Sequence, residues 1–242
     1  MGTNVKPYQN KNSSKKEQVA SMFDAIANRY DFLNHFLSLG IDIIWRKRAI
    51  KEIASIKPQS ILDIATGTGD LAIEAAKLKP KKIIGVDISN NMLSHGRIKV
   101  KKKKFESLID MLNGDAENLT FDNDTFDAIT AGFGVRNFEH LDNGLSEMYR
   151  VLKSNGKVAI IEPAEPVTFP FKQIYNLYFK GILPLIGKLV SKDSSAYSYL
   201  PQSVEAFPTR HAFLKKLENV GFKNVQYKPL TFGVAILYIA TK

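Results

Sequence analysis

The stretch "ILDIATGTGD", from Ile61 to Asp70, constrains this 242-residue chain more than any other, because a short apolar run passes straight into a turn with glycines at 67 and 69. The run reads as a buried strand and the turn as a sharp entry into a helix. Glycine serves such a turn because, without Cβ, the backbone bends tightly and lets a ligand approach its amides. The pattern then repeats: "KKIIGVDIS", "LIDMLNGD", "FDAITAGF" and "KVAIIEP" read as further strands, with helical patterns over "GDLAIEAAKL", Asn91 to Val100, and Leu141 to Leu152 between them. Short runs rich in Ile and Val, separated by helices, argue for parallel strands buried on both faces. The core is expected to be a doubly wound α/β sheet.

The glycine turn itself admits two ligands. Counted from Gly67, it gives Gly-x-Gly-x-x-Ala with Ala72 in the third small position, the dinucleotide fingerprint. Counted from Asp63, it gives Asp-x-Ala-x-Gly-x-Gly, which resembles the first motif of S-adenosylmethionine-dependent methyltransferases. Asp87 ends the second strand, 18 residues beyond Gly69, where an acid commonly holds the hydroxyls of an adenosyl ribose. Both ligands carry that ribose. "NGDAENLTF" puts Asp115 and Ala116 just after the third strand, where an adenine ring is faced in methyltransferases, and a nicotinamide enzyme has no specific need for an acid there. The last two strands, "NVQYKPL" and "GVAILYIATK", are joined by a short loop and argue for an antiparallel pair, again as in the methyltransferase sheet. The bland alternative is that the glycines only permit the turn and Asp115 caps a helix or sits in a loop.

The organisation follows from changes of pattern along the chain. Residues 1–16 are polar and lysine-rich and read as a disordered or loosely attached tail. Residues 17–242 read as one catalytic domain. Within it, residues 17–57 form a helical cap, carried by Val19, Met22, Phe23, Ile26 and Tyr30 at helical spacing, by Leu33, Phe36, Leu37 and Leu39, and by "IDIIWRKRAIKEIASI". Residues 58–165 form the nucleotide-binding core. Residues 166–210, with Pro166 and Pro170 ahead of an aromatic stretch, form an insertion expected to act as a lid or substrate wall. Residues 211–242 supply the final helix and the antiparallel pair.

Composition narrows the function. With no cysteine there is no thiolate metal site, and the four histidines lack ligand spacing, so no metal is expected. No secretory signal is visible at the N-terminus, and the apolar run "GILPLIG" is far short of the roughly 20 residues that span a bilayer, so a cytoplasmic protein is expected. The net charge of +10 comes mostly from lysine, densest at Lys99 to Lys104, which reads as a solvated helix end or loop. An RNA methyltransferase is the more distant alternative. No Asn-Pro-Pro-Tyr motif or RNA-binding appendage is present, and no nucleic-acid partner is expected.

Two longer segments carry a resemblance. "RYDFLNHFLSLGIDIIW", from Arg29 to Trp45, and "YRVLKSNGKVAIIEPAEP", from Tyr149 to Pro166, resemble the two signature segments of the UbiE/COQ5 (MenG) family of quinone C-methyltransferases. Leu33 stands where that family has Met, and Asp42 where it has His. "KSNG" replaces its Lys-Pro-Gly-Gly turn, and Ala164 replaces a Ser. "FGVRN", from Phe133 to Asn137, the aromatic insertion, and "DSSAYSYLPQSVEAFP" are also similar, so the resemblance runs from about Val19 onward.

The resemblance implies a Rossmann-like class I S-adenosylmethionine-dependent methyltransferase fold with a helical N-terminal cap and a lid insertion. It implies S-adenosylmethionine as methyl donor and C-methylation of demethylmenaquinol, the alternative acceptor being the polyprenylated benzoquinol of ubiquinone biosynthesis. Asp63, Thr66, Gly67, Thr68, Gly69, Asp87, Asp115, Ala116 and Tyr30 are the expected donor-binding residues. Arg136 is expected to stabilise a phenolate and Asn137 to orient it; the alternative is that Arg136 pairs with Glu139 or Glu162 and braces a loop. Tyr30, Asp31 and Asn34 are expected to close the site against water, or in the case of Asp31 and Asn34 to cap a helix or form a turn. Tyr175, Tyr178, Phe179, Tyr197 and Tyr199 could line a quinone pocket or belong to plain core. A polyprenylated quinol places the protein peripherally at the inner face of the cell membrane, where lysines meet anionic lipid. A homodimer is left open.

Overall fold

The computed structural model describes residues 5–8, 12–182 and 195–242, with the side chains of residues 32–37, 180, 182 and 195–197 outside the description. Leu33, Asn34, Phe36, Leu37 and Tyr197 therefore lie outside the described side chains.

Seven strands form one sheet: β1 (Ser60–Ile64), β2 (Lys82–Asp87), β3 (Ile109–Asn113), β4 (Phe126–Gly132), β5 (Leu152–Pro163), β6 (Lys223–Leu230) and β7 (Ala235–Thr241). Their spatial order is β3-β2-β1-β4-β5-β7-β6. The first five run parallel, and β7 inserts antiparallel between β5 and β6. The alternation within β1 shows why the runs are mostly apolar on both faces. Ile61 joins the core on one face, against Trp45, Ile53, Ala72 and Leu93, while Leu62 and Ile64 join the other, against Leu145, Met148, Phe213 and Leu217. Both faces are covered, so the strand interior is apolar except at Asp63, a buried carboxylate on the face of Ile61 that two hydroxyls satisfy.

Helices α2 (Ile41–Ala54), α3 (Asp70–Ala75) and α4 (Asn90–Lys102) cover the first face. Helices α5 (Leu141–Val151) and α8 (His211–Val220) cover the second. The insertion supplies α6 (Phe171–Asn176), a π-helical turn (Leu177–Ile182) and α7 (Ser195–Ala206).

The N-terminus departs from the expected loose tail. Helix α1 (Lys15–Leu37) begins at Lys15, and a reciprocal cap fixes its start: Ser14 N donates to Glu17 Oε2 at 2.9 Å while Glu17 N donates to Ser14 Oγ at 3.2 Å. Ahead of it, Tyr8 N donates to Gln18 Oε1 at 2.9 Å, and Val5 and Tyr8 pack against Val19, Met22 and Tyr199. Described residues from 5 onward are thus part of the body, because the cap and the contacts of Gln18 give polar residues partners that a pattern of apolar spacing does not reveal.

Helix α1 lies along the carboxyl ends of the parallel strands and is tied down on one face. Lys16 pairs with Asp115, Asp24 Oδ1 accepts from Ser89 Oγ at 2.6 Å, and Asp31 Oδ1 accepts from Thr68 Oγ1 at 2.5 Å. Steps of eight and seven residues are each about two helical turns, so the three acids and bases share one stripe.

Candidate active site

The glycine turn is held from below. Asp63 is fully buried on β1, opposite Thr130 in the register of β1 with β4, and accepts the hydroxyls of Thr130 and Thr66, each at 2.6 Å. Burial pushes its carboxyl up to about 6, against the pull of those two hydroxyls. Gly67 (φ +56°) and Gly69 (φ +82°) then take left-handed conformations that side chains disfavour. Ala65 (φ 51°) and Phe133 (φ 63°), at the ends of the adjacent strands β1 and β4, share that strain without being glycine. Strain of this kind is held in place where the surrounding structure over-determines it, and it clusters at binding sites.

Two adjoining cavities open at this edge of the sheet. The smaller, about 60 Å³, lies between α1 and the glycine turn, and among its walls are Gly67, Asp87, Asp115, Ala116, Tyr30 and Asn137. The larger, about 470 Å³, lies between α1, α2 and the insertion. Phe23, Tyr30 and Phe133 belong to both walls, so these rings stand where the two spaces meet.

Of the expected donor-binding residues, Gly67, Asp87, Asp115, Ala116 and Tyr30 face the smaller cavity. Asp63, Thr66, Thr68 and Gly69 line neither cavity. They hold the turn from behind, because Asp63 binds Thr66, the Gly69 amide donates to Thr66 O at 2.8 Å, and the Thr68 hydroxyl reaches Asp31. Asp87 accepts the amides of Gly67 at 2.8 Å and Ser89 at 2.9 Å, one on each oxygen. Each oxygen keeps lone pairs for a second donor, as a vicinal diol would require. Burial pushes the Asp87 carboxyl up to about 6, although both amides pull it down.

The residues present fit an adenosyl ligand in chemistry: an acid at the end of β2, an acid and a small residue after β3, and a glycine amide turn. They fit it in volume only once α1 yields. Ligand sites run from about 300 Å³ upward, and the ammonium of Lys16 stands on Asp115.

Arg136 and Asn137 sit in a 3₁₀ turn (Val135–Asn137) directly after β4, and the structure separates them. Arg136 faces the larger cavity and Asn137 the smaller. Arg136 pairs with Glu162 at the end of β5, Nη1 to Oε2 at 3.0 Å, while its Nη1 also donates to Phe133 O and its Nε lies 3.4 Å from Ser203 Oγ. Burial raises the Glu162 carboxyl and Arg136 draws it back down. Among the described residues Nη2 makes no hydrogen bond, so the fork is anchored at one side and open at the other. Glu139 is engaged elsewhere, accepting the Lys15 amide at 3.0 Å. The Oδ1 of Asn137 is buried without a partner among the described residues.

The larger cavity is mostly apolar. Tyr175, Tyr178, Phe179 and Tyr199 of the insertion line it, as expected from the aromatic stretch. Several wall residues were not among the expected site residues: Ser38, Asp42 and Arg46 form a polar cluster, with Ser38 Oγ 2.6 Å from Asp42 Oδ1 and Arg46 Nη1 2.6 Å from Asp42 Oδ2. Trp45 donates from Nε1 to Thr231 Oγ1 at 2.8 Å, and Phe232 stacks on Phe171 at 3.8 Å. Asp42 was visible only as a departure from the family segment, and Thr231 and Phe232 come from the distant β6–β7 loop.

The nicotinamide reading finds no support at this edge. Tyr149 and Lys153 have the Tyr-x-x-x-Lys spacing used in some hydride-transfer sites, but Tyr149 packs on Phe222 at 5.2 Å and Lys153 pairs with Asp127 at 2.8 Å. Neither lines either of the two cavities at this edge. No group of His, Cys, Asp or Glu among the described residues is arranged to hold a metal ion.

Comparison with known proteins decides the family. The profile of the ubiE/COQ5 methyltransferase family matches residues 11–242. The chain belongs to the ubiE/COQ5 methyltransferase family. It is 52% identical over 239 residues to a demethylmenaquinone methyltransferase of Bacteroides fragilis, covering 98% of this chain and 97% of that one. It is 46% identical over 232 residues to a ubiquinone/menaquinone biosynthesis C-methyltransferase UbiE of Geotalea daltonii, covering 95% and 98% of the two chains. A crystal structure of a SAM-dependent methyltransferase from Aquifex aeolicus shares the fold, with a TM-score of 0.56 at 16% identity over 79% of this chain and 88% of that one. The ubiE/COQ5 family and the Rossmann-like methyltransferase sheet therefore agree with the expectations from the signature segments.

Proposed function

We propose that this chain transfers the methyl group of S-adenosylmethionine to a ring carbon of demethylmenaquinol, giving menaquinol. The observation that carries the reading is the pair of adjoining cavities, one with adenosyl-binding chemistry and one broad and apolar, meeting at Phe23, Tyr30 and Phe133. The relatives named demethylmenaquinone methyltransferase support the acceptor. The relative named for both quinones keeps a benzoquinol of ubiquinone biosynthesis as the second reading.

S-adenosylmethionine supplies an electrophilic methyl on a sulfonium. The chain's residues must make the acceptor nucleophilic and aim it. Arg136, fixed by Glu162 and Phe133, offers its open Nη2 to a quinol oxygen and favours the phenolate, which raises electron density at the neighbouring ring carbon. That carbon bonds to the methyl as the sulfur–carbon pair returns to sulfur, and its hydrogen leaves as a proton. Arginine stays protonated, so the proton passes to water rather than to Arg136. Asn137 belongs to the donor side, where its unpaired carbonyl is a waiting acceptor. Asp31, Thr68 and Lys99 fasten α1 over the donor and keep water from the sulfonium.

The isoprenoid tail leaves the larger cavity by its mouth, where Leu39 (84% exposed), Ile174 (60%) and Phe232 (65%) present apolar side chains to the surroundings. Exposed Ile43, Ile44, Lys47 and Arg48 follow on α2. This mouth is the part proposed to meet the membrane surface, and no described helix is long and apolar enough to cross a membrane.

The test is an anaerobic assay of S-adenosylhomocysteine formation with short-tail demethylmenaquinol and, separately, with the 6-methoxybenzoquinol. Faster turnover of the naphthoquinol is expected. Turnover of the benzoquinol alone would replace the first reading by the second.

A further inference from the structure

Tyr199 of α7 is 3% exposed, and its hydroxyl is buried without a hydrogen-bond partner among the described residues. A buried tyrosine usually finds a partner for its hydroxyl, since one left unpaired carries its full desolvation cost. Phenylalanine would fill the same space against Val19 and Met22 without that cost. The hydroxyl therefore has no packing purpose, and Tyr199 belongs to the wall of the larger cavity.

Its neighbourhood says what it could meet. Ser203 lies one helical turn further along α7, on the same face, and brings its Oγ to 3.4 Å from Arg136 Nε. Tyr199 feels both charges of the Arg136–Glu162 pair, yet burial dominates and pushes its phenol up to about 12. The group is a neutral donor throughout the working pH range. In a mostly apolar chamber whose wall also holds Arg136, it lacks only an oxygen to bind.

We propose that the Tyr199 hydroxyl is a second donor to the ring oxygen of the acceptor, sharing with Arg136 the task of stabilising the phenolate and fixing the ring. This rests on the acceptor being a quinol, as proposed above. It adds a substrate-positioning residue from the insertion, so that α7 takes part in the chemistry as well as in enclosing the chamber.

The test is Tyr199→Phe, assayed with reduced short-tail demethylmenaquinol and S-adenosylmethionine from pH 6 to 9. The expected result is a fall of roughly ten- to a hundredfold in kcat/KM for the quinol, the size of a lost hydrogen bond to a charged oxygen. The pH midpoint of kcat moves upward, because the phenolate has lost a donor. The affinity for S-adenosylhomocysteine stays within about twofold, and the melting temperature stays equal or rises, because an unpaired buried hydroxyl has been removed. Wild-type kinetics in the variant would overturn the inference. So would a lowered melting temperature with an unmoved pH midpoint, since the hydroxyl would then have an internal structural partner. If the wild-type enzyme binds S-adenosylhomocysteine but methylates no quinol, the proposed function fails first and this inference falls with it.

Discussion

The carboxylate of Asp31 accepts the Thr68 hydroxyl at 2.5 Å, so the helix that covers the smaller cavity is fastened to the glycine turn beneath it. Lys99 completes the clasp, reaching Asp31 Oδ2 at 2.5 Å and Asp70 Oδ1 at 2.7 Å. The smaller cavity, about 60 Å³ with α1 in this position, is narrower than an adenosyl ligand needs, so opening of this clasp is expected to accompany ligand entry and release. Asp31→Ala is expected to speed both association and dissociation of S-adenosylhomocysteine, each by about fivefold, the equivalent of about 1 kcal/mol for a half-exposed pair. Stopped-flow fluorescence measures both rates, and unchanged rates would show that α1 does not gate entry.

Asp87 is expected to make donor binding sensitive to acid. Its carboxyl titrates at about 6 in the folded chain, above the ordinary aspartate value, so it takes up a proton as pH falls through 6. The protonated form accepts hydroxyls poorly, and affinity for S-adenosylhomocysteine is expected to fall about tenfold between pH 7 and pH 5. Calorimetry at several pH values gives the profile. In Asp87→Asn the affinity should be weak and flat across that range; a variant that kept the wild-type slope would move the titration to another group.

Replacing Arg136 by lysine keeps the charge but loses the planar fork, so one ammonium has to serve both the place of Nη1 at Phe133 O and Glu162 and the place of Nη2 at an acceptor oxygen. The expected cost is about a hundredfold in kcat, the usual scale for losing a fixed donor to a developing oxyanion. Affinity for S-adenosylhomocysteine should not change, because Arg136 faces only the larger cavity. A kcat within threefold of wild type would assign Arg136 to bracing the loop alone.

At the mouth of the larger cavity, Leu39 and Phe232 are exposed apolar side chains, and lysines in such a place add about 1 kcal/mol each toward anionic lipid. Flotation with vesicles is expected to recover more protein with anionic than with neutral lipid, and less with the double variant Leu39→Glu, Phe232→Glu. Equal recovery for the wild type and that variant would place the contact elsewhere.

The sheet was readable because its central strands are buried on both faces, so Ile61, Leu62 and Ile64 of β1 form an apolar run with little polar alternation. The antiparallel pairing of the last two strands was readable from their short connection, and the place of β7 between β5 and β6 came from the fold. The start of α1 was written in Ser14 and Glu17, whose three-residue spacing is a capping signature, but it stands among lysines and polar residues that look like a tail. Asp63 shows a different limit. A motif locates a residue beside the ligand turn without saying which way its side chain points, and the register with Thr130 turns this one inward. Pairings across distant segments, such as Arg136 with Glu162 rather than Glu139, needed the fold. The polar cluster of Ser38, Asp42 and Arg46 is helical in spacing, yet only the position of the insertion makes it a cavity wall.

The most direct measurement is transfer from S-adenosylmethionine carrying a trideuterated methyl group to reduced short-tail demethylmenaquinol, with the product analysed by mass spectrometry and proton NMR. The account predicts a trideuteromethyl group on the quinone ring carbon and loss of that carbon's proton signal. A label found on a ring oxygen, or no labelled quinone from protein that binds S-adenosylhomocysteine, would contradict it.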